Sequence, residues 1–196
     1  MKKMDLDIDQ PSLKLWFLIH RTRDVFANCE DKIFGKYGLT TEQFSVLVTM
    51  KYLGDSVRVT DLARGLERST NSVSMIVDRM TKIGLVRRIR DKIDRRVVRV
   101  VMTEKGARAL RPATVAGLEF LQKTVSPLSA EERRTLISLL EKVKFEALKQ
   151  LSPSIDIEEI KRNDITNQPD LVKRVRQYVS SPSQEAKPGG GTQRQK

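Results

Sequence analysis

The apolar positions of the chain recur first with a helical period. From Pro11 to about Gly35, Leu13, Trp16, Phe17 and His20 return at spacings of three and four, with Ser12 as the expected cap. Leu13 to Ile19 is apolar nearly all round, whereas a surface helix needs only one apolar stripe. This helix start is therefore expected to be covered by its own domain and by a second chain. Gly38-Leu39 interrupts the period. A helix capped by Thr40 or Thr41 follows, with Phe44, Leu47, Val48 and Tyr52 or Leu53 inward, ending near Gly54-Asp55. The elements then shorten. Val57 to Val59 is a brief β-prone piece, Thr60 is the expected cap of a two-turn helix carrying Leu62, Ala63 and Leu66, and Ser69 caps a helix to about Ile83. Gly84 closes that helix as a left-handed C-terminal cap.

After Gly84 the period becomes two. Leu85 to Arg90 and Val97 to Met102 are β-branched and Arg-rich and flank a charged tip, Asp91 to Arg96, which predicts a two-stranded hairpin. Thr103 caps a further helix whose apolar positions Ala107, Leu110, Leu118, Leu121 and Val125 persist to Ser126-Pro127. Ser129 with Glu132 forms a capping box for a last core helix, marked by Leu136, Leu139, Leu140 and Val143 and reaching about Gln150. These two helices match the first as dimer-forming material. The fold class expected is mainly α with a small β-wing. Residues 151–179 read as a C-terminal extension with a short basic amphipathic helix from Leu171 to Val179. Its Lys173, Arg174 and Arg176 are available for dimer contacts or for nonspecific affinity for nucleic acid. Residues 180–196, rich in Ser, Pro, Gly, Gln and Lys, read as a disordered tail.

Charge changes the picture. The 196 residues hold 37 Lys and Arg against 25 Asp and Glu, a net +12, which points to a polyanionic partner. With one Cys, Cys29, no intramolecular disulfide can form, which fits a reducing compartment. One His and one Cys cannot build a Cys/His zinc site or most His-centred triads, so no metal, cofactor or enzymatic role is expected. The N-terminus lacks the apolar core of a signal peptide, and the run Leu15 to Ile19 is far too short to span a bilayer, so a cytoplasmic protein without a membrane segment is expected. Gly189-Gly190-Gly191-Thr192 lacks the Lys of a phosphate-binding loop and reads as linker.

The functional signal is a pair of short helices followed by the charged hairpin. Val73, Ile76, Val77 and Met80 form the inner face of the second helix, leaving Thr70, Asn71, Ser72, Ser74 and Met75 outward near its start. Small hydrogen-bonding groups there suit base edges and phosphates when a helix N-terminus enters a major groove. From Arg87 to Arg99 the hairpin carries seven cations, Arg90, Lys92, Arg95 and Arg96 among them, against Asp91 and Asp94. Arg95 and Arg96 at its tip can reach a neighbouring minor groove, with Asp94 orienting one of the guanidiniums. A sequence-nonspecific architectural nucleic-acid protein would use the same charge, with a steep salt dependence and no preferred site.

Several runs in this order and spacing resemble the MarR family of transcription regulators. They are Thr60-Asp61-Leu62-Ala63, Val77-Asp78-Arg79-Met80-Thr81-Lys82-Ile83-Gly84-Leu85-Val86, Asp94-Arg95-Arg96 and Met102-Thr103-Glu104-Lys105-Gly106. The resemblance covers roughly residues 11–150. It implies a homodimeric winged helix-turn-helix protein that binds a pseudo-palindromic double-stranded DNA operator, most simply as a repressor. The DNA-binding lobe would span about 55–102, and the dimerisation helices about 11–35 and 103–150. Ser69 to Ile83 would be the recognition helix, with Ser69 and Arg79 joining the outward set, and Arg96, with Arg95, the wing arginine. Two positions depart from the family pattern: Met75 stands where many members carry Arg or Lys, and Glu67 where the turn often has Gly. The family also binds small, often aromatic effectors in a cleft between the dimer helices and the DNA-binding lobe. Trp16 and His20, one turn apart, are candidates for that cleft, with packing in the apolar stripe as the alternative reading.

Overall fold

The computed structural model describes residues 9–54, 56–91, 94, 95 and 97–181. Helix α1 runs Gln10–Gly35 and is capped by Asp9 rather than Ser12: the Ser12 amide donates to Asp9 Oδ1 at 2.9 Å. Pro11 thereby falls in the first turn, where its missing N–H has no helical partner to lose. Helix α2, Thr41–Leu53, starts on a reciprocal box in which the Gln43 amide donates to Thr40 Oγ1 and the Thr40 amide to Gln43 Oε1. The Thr41 amide also donates to Asp31 Oδ1 at 2.8 Å, which fastens α2 to α1. The buried side of α2 is Val46, Leu47, Thr49 and Met50, while Phe44 and Val48 are only half-buried and Leu53 is exposed. A helix packed by α1, α5 and the helices after it buries a wide arc that a single-stripe reading does not capture.

Strand β1, Ser56–Arg58, leads directly into α3, Val59–Gly65, so the helix begins before Thr60 and Thr60 is not its cap; the Arg58 amide donates to Asp61 Oδ2 instead. The turn to α4, Thr70–Lys82, passes through Glu67 in the left-handed region at φ +50°. Ser69 caps α4 by accepting the Ser72 amide, and Gly84 follows with φ +75°. Strands β2, Val86–Arg90, and β3, Val98–Met102, form the antiparallel hairpin. The sheet has three strands rather than two, in the order β1-β3-β2, because β1 pairs antiparallel to β3 with Val57 opposite Val100. Both of these valines are buried, so burial of the middle residue recruits β1 to the hairpin edge.

Helix α5, Glu104–Val125, is capped by Thr103, whose hydroxyl accepts the Gly106 amide and stands 2.7 and 2.9 Å from the carbonyl oxygens of Gly84 and Leu85. Lys105 Nζ donates to the Ile83 carbonyl. The Thr-Glu-Lys-Gly run is thus the joint between the hairpin, the end of α4 and α5. The core gathers Leu47, Met50, Leu62, Val73, Val77, Met80, Val86, Val100 and Leu110, all fully buried. Helix α6, Ala130–Leu151, closes its start with the Ser129–Glu132 box but buries no side chain. Its Leu136, Ile137, Leu139, Leu140 and Val143 are exposed, as are Leu13, Leu15, Trp16, Phe17 and Leu18 of α1.

The C-terminal extension folds back. After α7, Ile157–Asn163, and a 3₁₀ turn at Ile165–Asn167, helix α8, Leu171–Ser180, lies against α5. Tyr178 packs on the core beneath Lys51, and Arg111 donates to the Val179 carbonyl at 2.7 Å. Arg174 is held by Asp170 and by the Tyr52 ring. Lys144 on α6 joins Glu67 at 2.6 Å to Asp164 at 3.6 Å. Ser180 ends α8, and the tail expected to be disordered lies, from residue 182 onward, outside the described residues. Among the described residues no helix is long and apolar enough to cross a membrane.

Candidate nucleic-acid interface

The inner face of α4 is built of Val73, Ile76, Val77 and Met80, which the core swallows completely. That burial fixes the rotation of the helix and turns Thr70, Asn71, Met75 and Arg79 to solvent, with Ser72 and Ser74 half-exposed. The three-stranded sheet stands beside the helix start. Between them lies a shallow groove of about 450 Å³ lined by Arg58, Val59, Thr60, Asn71, Ser74 and Arg88.

Side-chain bonding divides the outer face of α4 into occupied and unoccupied groups. Arg88 on β2 donates to Asp78 Oδ1 at 2.8 Å and to Ser74 Oγ at 3.3 Å, which pins the hairpin to the helix. Arg79 pairs with Glu42 at 3.4 Å, and Arg68 meets the same carboxylate at 3.0 Å. Ser69 Oγ is engaged as the cap. In the hairpin, Arg99 is bound by Asp91 and also donates to the Ser56 carbonyl at 3.2 Å. Arg90 is exposed at the end of β2, and Arg95 is exposed in the turn beside Asp94. Lys92 and Arg96, both expected in the wing, lie outside the described residues.

Arg58, Thr60 and Arg88 belong to this groove although sequence reasoning did not single them out as site residues. Arg88 was one cation in a dense run. Arg58 enters only because β1 pairs with β3, placing Arg58 opposite Arg99. The alternation Ser56-Val57-Arg58 against Arg99-Val100-Val101 was the signal available.

Trp16 and His20 meet edge to face, ring centroids 4.7 Å apart, on an α1 face that the other described residues leave uncovered; Trp16 is 62% exposed. A separate cleft of about 490 Å³ at the junction of α1 and α5 is lined by Tyr37, Leu85, Lys105, Arg108, Ala109 and Pro112, and by neither of the two. Cys29 is half-buried in α1. Among the described residues no cluster of His, Cys, Asp or Glu could hold a metal ion.

Two helices joined by a tight turn, the second with an exposed polar outer face, followed by a β-hairpin packed at its side, define a winged helix-turn-helix protein. The MarR family model matches residues 39–98. The chain is 33% identical over 138 residues to the HTH-type transcriptional regulator MgrA of Staphylococcus aureus, covering 69% of this chain and 92% of that one. It is 27% identical over 144 residues to the HTH-type transcriptional regulator PecS of Dickeya dadantii, covering 72% and 86%. Among solved structures it is similar to a mutant MarR from E. coli complexed with operator DNA, at 25% identity and TM-score 0.62, covering 70% of this chain and 98% of that one. An organohalide-sensing regulator bound to 2,4-dichlorophenol shares the fold, at 22% identity and TM-score 0.67, covering 76% and 92%. The chain belongs to the MarR family of transcriptional regulators.

Proposed function

We propose that this regulator acts as a homodimer on double-stranded DNA, recognising a pseudo-palindromic operator as a cytoplasmic repressor and leaving it when a small aromatic effector binds. The observation that carries the DNA-binding reading is the groove between α4 and the sheet. There Arg58 and Arg88, the latter held by Asp78 and Ser74, line one trough with Asn71, so cationic charge for phosphates and a base-reading amide share it. In a two-fold dimer the α4 helices would enter successive major grooves about 34 Å apart, with Arg90, Arg95 and the wing tip outside them. Residues 11–150 form the functional unit in this reading, with the lobe at about 55–102. The apolar faces of α1 and α6 support a second copy as partner: ten large apolar side chains named above stand in solvent on two helices. Burying them removes an aggregation liability.

The effector reading draws on the relative that binds 2,4-dichlorophenol. Trp16 and His20 would line an effector site that forms once the partner covers α1. Ligand and DNA would then weaken each other by favouring different separations of the α4 helices.

The test is selection of genomic DNA fragments by the full chain at near-physiological salt, then titration of the best fragment against scrambled DNA. An inverted repeat bound about a thousandfold or more tighter than scrambled sequence is expected. Equal, strongly salt-dependent binding to every duplex refutes the proposal in favour of the architectural alternative.

A further inference from the structure

The outer face of α4 shows which of its groups remain to read bases, and the answer is unusual in containing a large apolar side chain. Ser69 is engaged by the Ser72 amide, Ser74 and Asp78 by Arg88, and Arg79 by Glu42. This leaves Thr70, Asn71, Ser72 and Met75; Asn71 and Met75, four residues apart on consecutive turns and both exposed, are the two that reach furthest as an amide and a large apolar group. Met75 is 64% exposed, whereas Val73, Ile76, Val77 and Met80 around it are fully or almost fully buried. It is therefore not a core thioether displaced from its register. It is the one large apolar group on a face otherwise made of hydroxyls, amides and charges.

The major groove offers a methyl group on one base only, thymine, beside the paired adenine with its N6 donor and N7 acceptor. An Asn side-chain amide matches that adenine edge with two hydrogen bonds, and an unbranched thioether packs on the methyl. Four helical residues span about 6 Å, comparable to one to two base-pair steps of about 3.4 Å each. Arg58, lining the trough beside Asn71, supplies charge for phosphates, which positions the helix without reading sequence.

We infer that Asn71 and Met75 are the specificity-determining pair of this regulator and that each operator half-site presents them with adjacent or near-adjacent A·T pairs, Met75 seated on a thymine 5-methyl group and Asn71 on an adenine edge. The inference rests on the DNA-binding reading above and goes beyond it by naming the bases.

The experiment selects from a library of randomised duplexes with the full chain and with Met75→Ala, Met75→Leu and Asn71→Ala. Each thymine of the recovered half-site is then replaced in turn by deoxyuridine, which deletes only the 5-methyl group. One position per half-site is expected where the replacement weakens wild-type binding about threefold to fivefold. That loss should vanish in Met75→Ala and persist in Met75→Leu. Asn71→Ala should relax the adenine preference about tenfold. Both side chains are exposed, so the unfolding midpoints of the variants should match wild type and separate recognition from folding. Recovery of a specific half-site in which no deoxyuridine matters overturns the inference while leaving the regulator intact. So does a methyl dependence that survives in Met75→Ala. Equal binding to all duplexes instead overturns the DNA-binding reading itself.

Discussion

Gly106 gives a test in which local and tertiary effects have opposite signs. It lies in the first turn of α5, where alanine ordinarily stabilises a helix by about 1 kcal/mol relative to glycine. A Cβ placed there would stand 2.3 Å from the Leu85 carbonyl oxygen and 3.1 Å from Met102 Cγ. The first distance is more than 1 Å short of the 3.4 Å at which ordinary van der Waals contact begins, and the obstacle is backbone, which cannot rotate aside. That same carbonyl receives the Thr103 amide at 3.1 Å and lies 2.9 Å from the Thr103 hydroxyl, so moving it opens the joint between the wing and α5. Overpacking of this kind costs about 1 to 3 kcal/mol, and each loosened hydrogen bond about 0.5 to 1.5 kcal/mol, which together outweigh the helix gain. Gly106→Ala should destabilise the full chain by about 2 kcal/mol, lowering the thermal midpoint by about 4 to 8 °C for a chain of this length. Gly35→Ala is the control: nothing lies within 4 Å of a Cβ there, and its midpoint should hold or rise. Thermal unfolding followed by circular dichroism reads both. A Gly106→Ala protein melting at or above wild type refutes the close-approach argument.

Other expected outcomes follow from separate parts of the molecule. Burial, followed by the neighbouring Asp31 charge, raises the Glu30 carboxyl above its ordinary 4.5, so the folded state holds that proton more tightly than the unfolded chain. Ionised Glu30 therefore costs stability above its raised folded pKa, and the cost disappears below pH 4.5. Glu30→Gln should raise the midpoint at pH 7 and lose that advantage on acidification; a difference independent of pH counts against this. Tyr178→Ala, which strips the extension of its core contact, should cost about 1 to 2 kcal/mol in urea unfolding. Arg174→Ala, at an exposed pair, should cost about 0 to 1 kcal/mol. Equal losses for the two would show that α8 does not pack through Tyr178. Leu139→Asp on the exposed α6 face should reduce the sedimenting mass from about twice the 22.4 kDa chain mass to that of a single chain. A wild type already sedimenting as one chain refutes the dimer.

Sequence by itself determined the order of the elements and most of their ends, because caps and periods are local signals. Thr40, Ser69, Thr103 and Ser129 each satisfy a backbone amide three residues on, a relation written within four consecutive positions. The inner face of α4 was legible for the same reason: Val73, Ile76, Val77 and Met80 share one arc of a 3.6-residue helix whatever they pack against. Where two local solutions compete, the signal blurs, as at Ser12 and Thr60, each passed over for a start two or three residues earlier.

Tertiary structure alone decided who meets whom across distance. That Arg58 joins the groove depends on β1 finding β3 more than forty residues away, which the three-residue strand could not announce. That Ser74 is engaged depends on Arg88 reaching back from the next strand. The extension lies on α5 with Tyr178 packed against the core and Arg174 over the Tyr52 ring, contacts between segments far apart in the chain. Hydrophobic period says which side of an element turns inward. Which polar groups then remain unsatisfied at the surface, and so free for a partner, follows only when every inward side has been packed together.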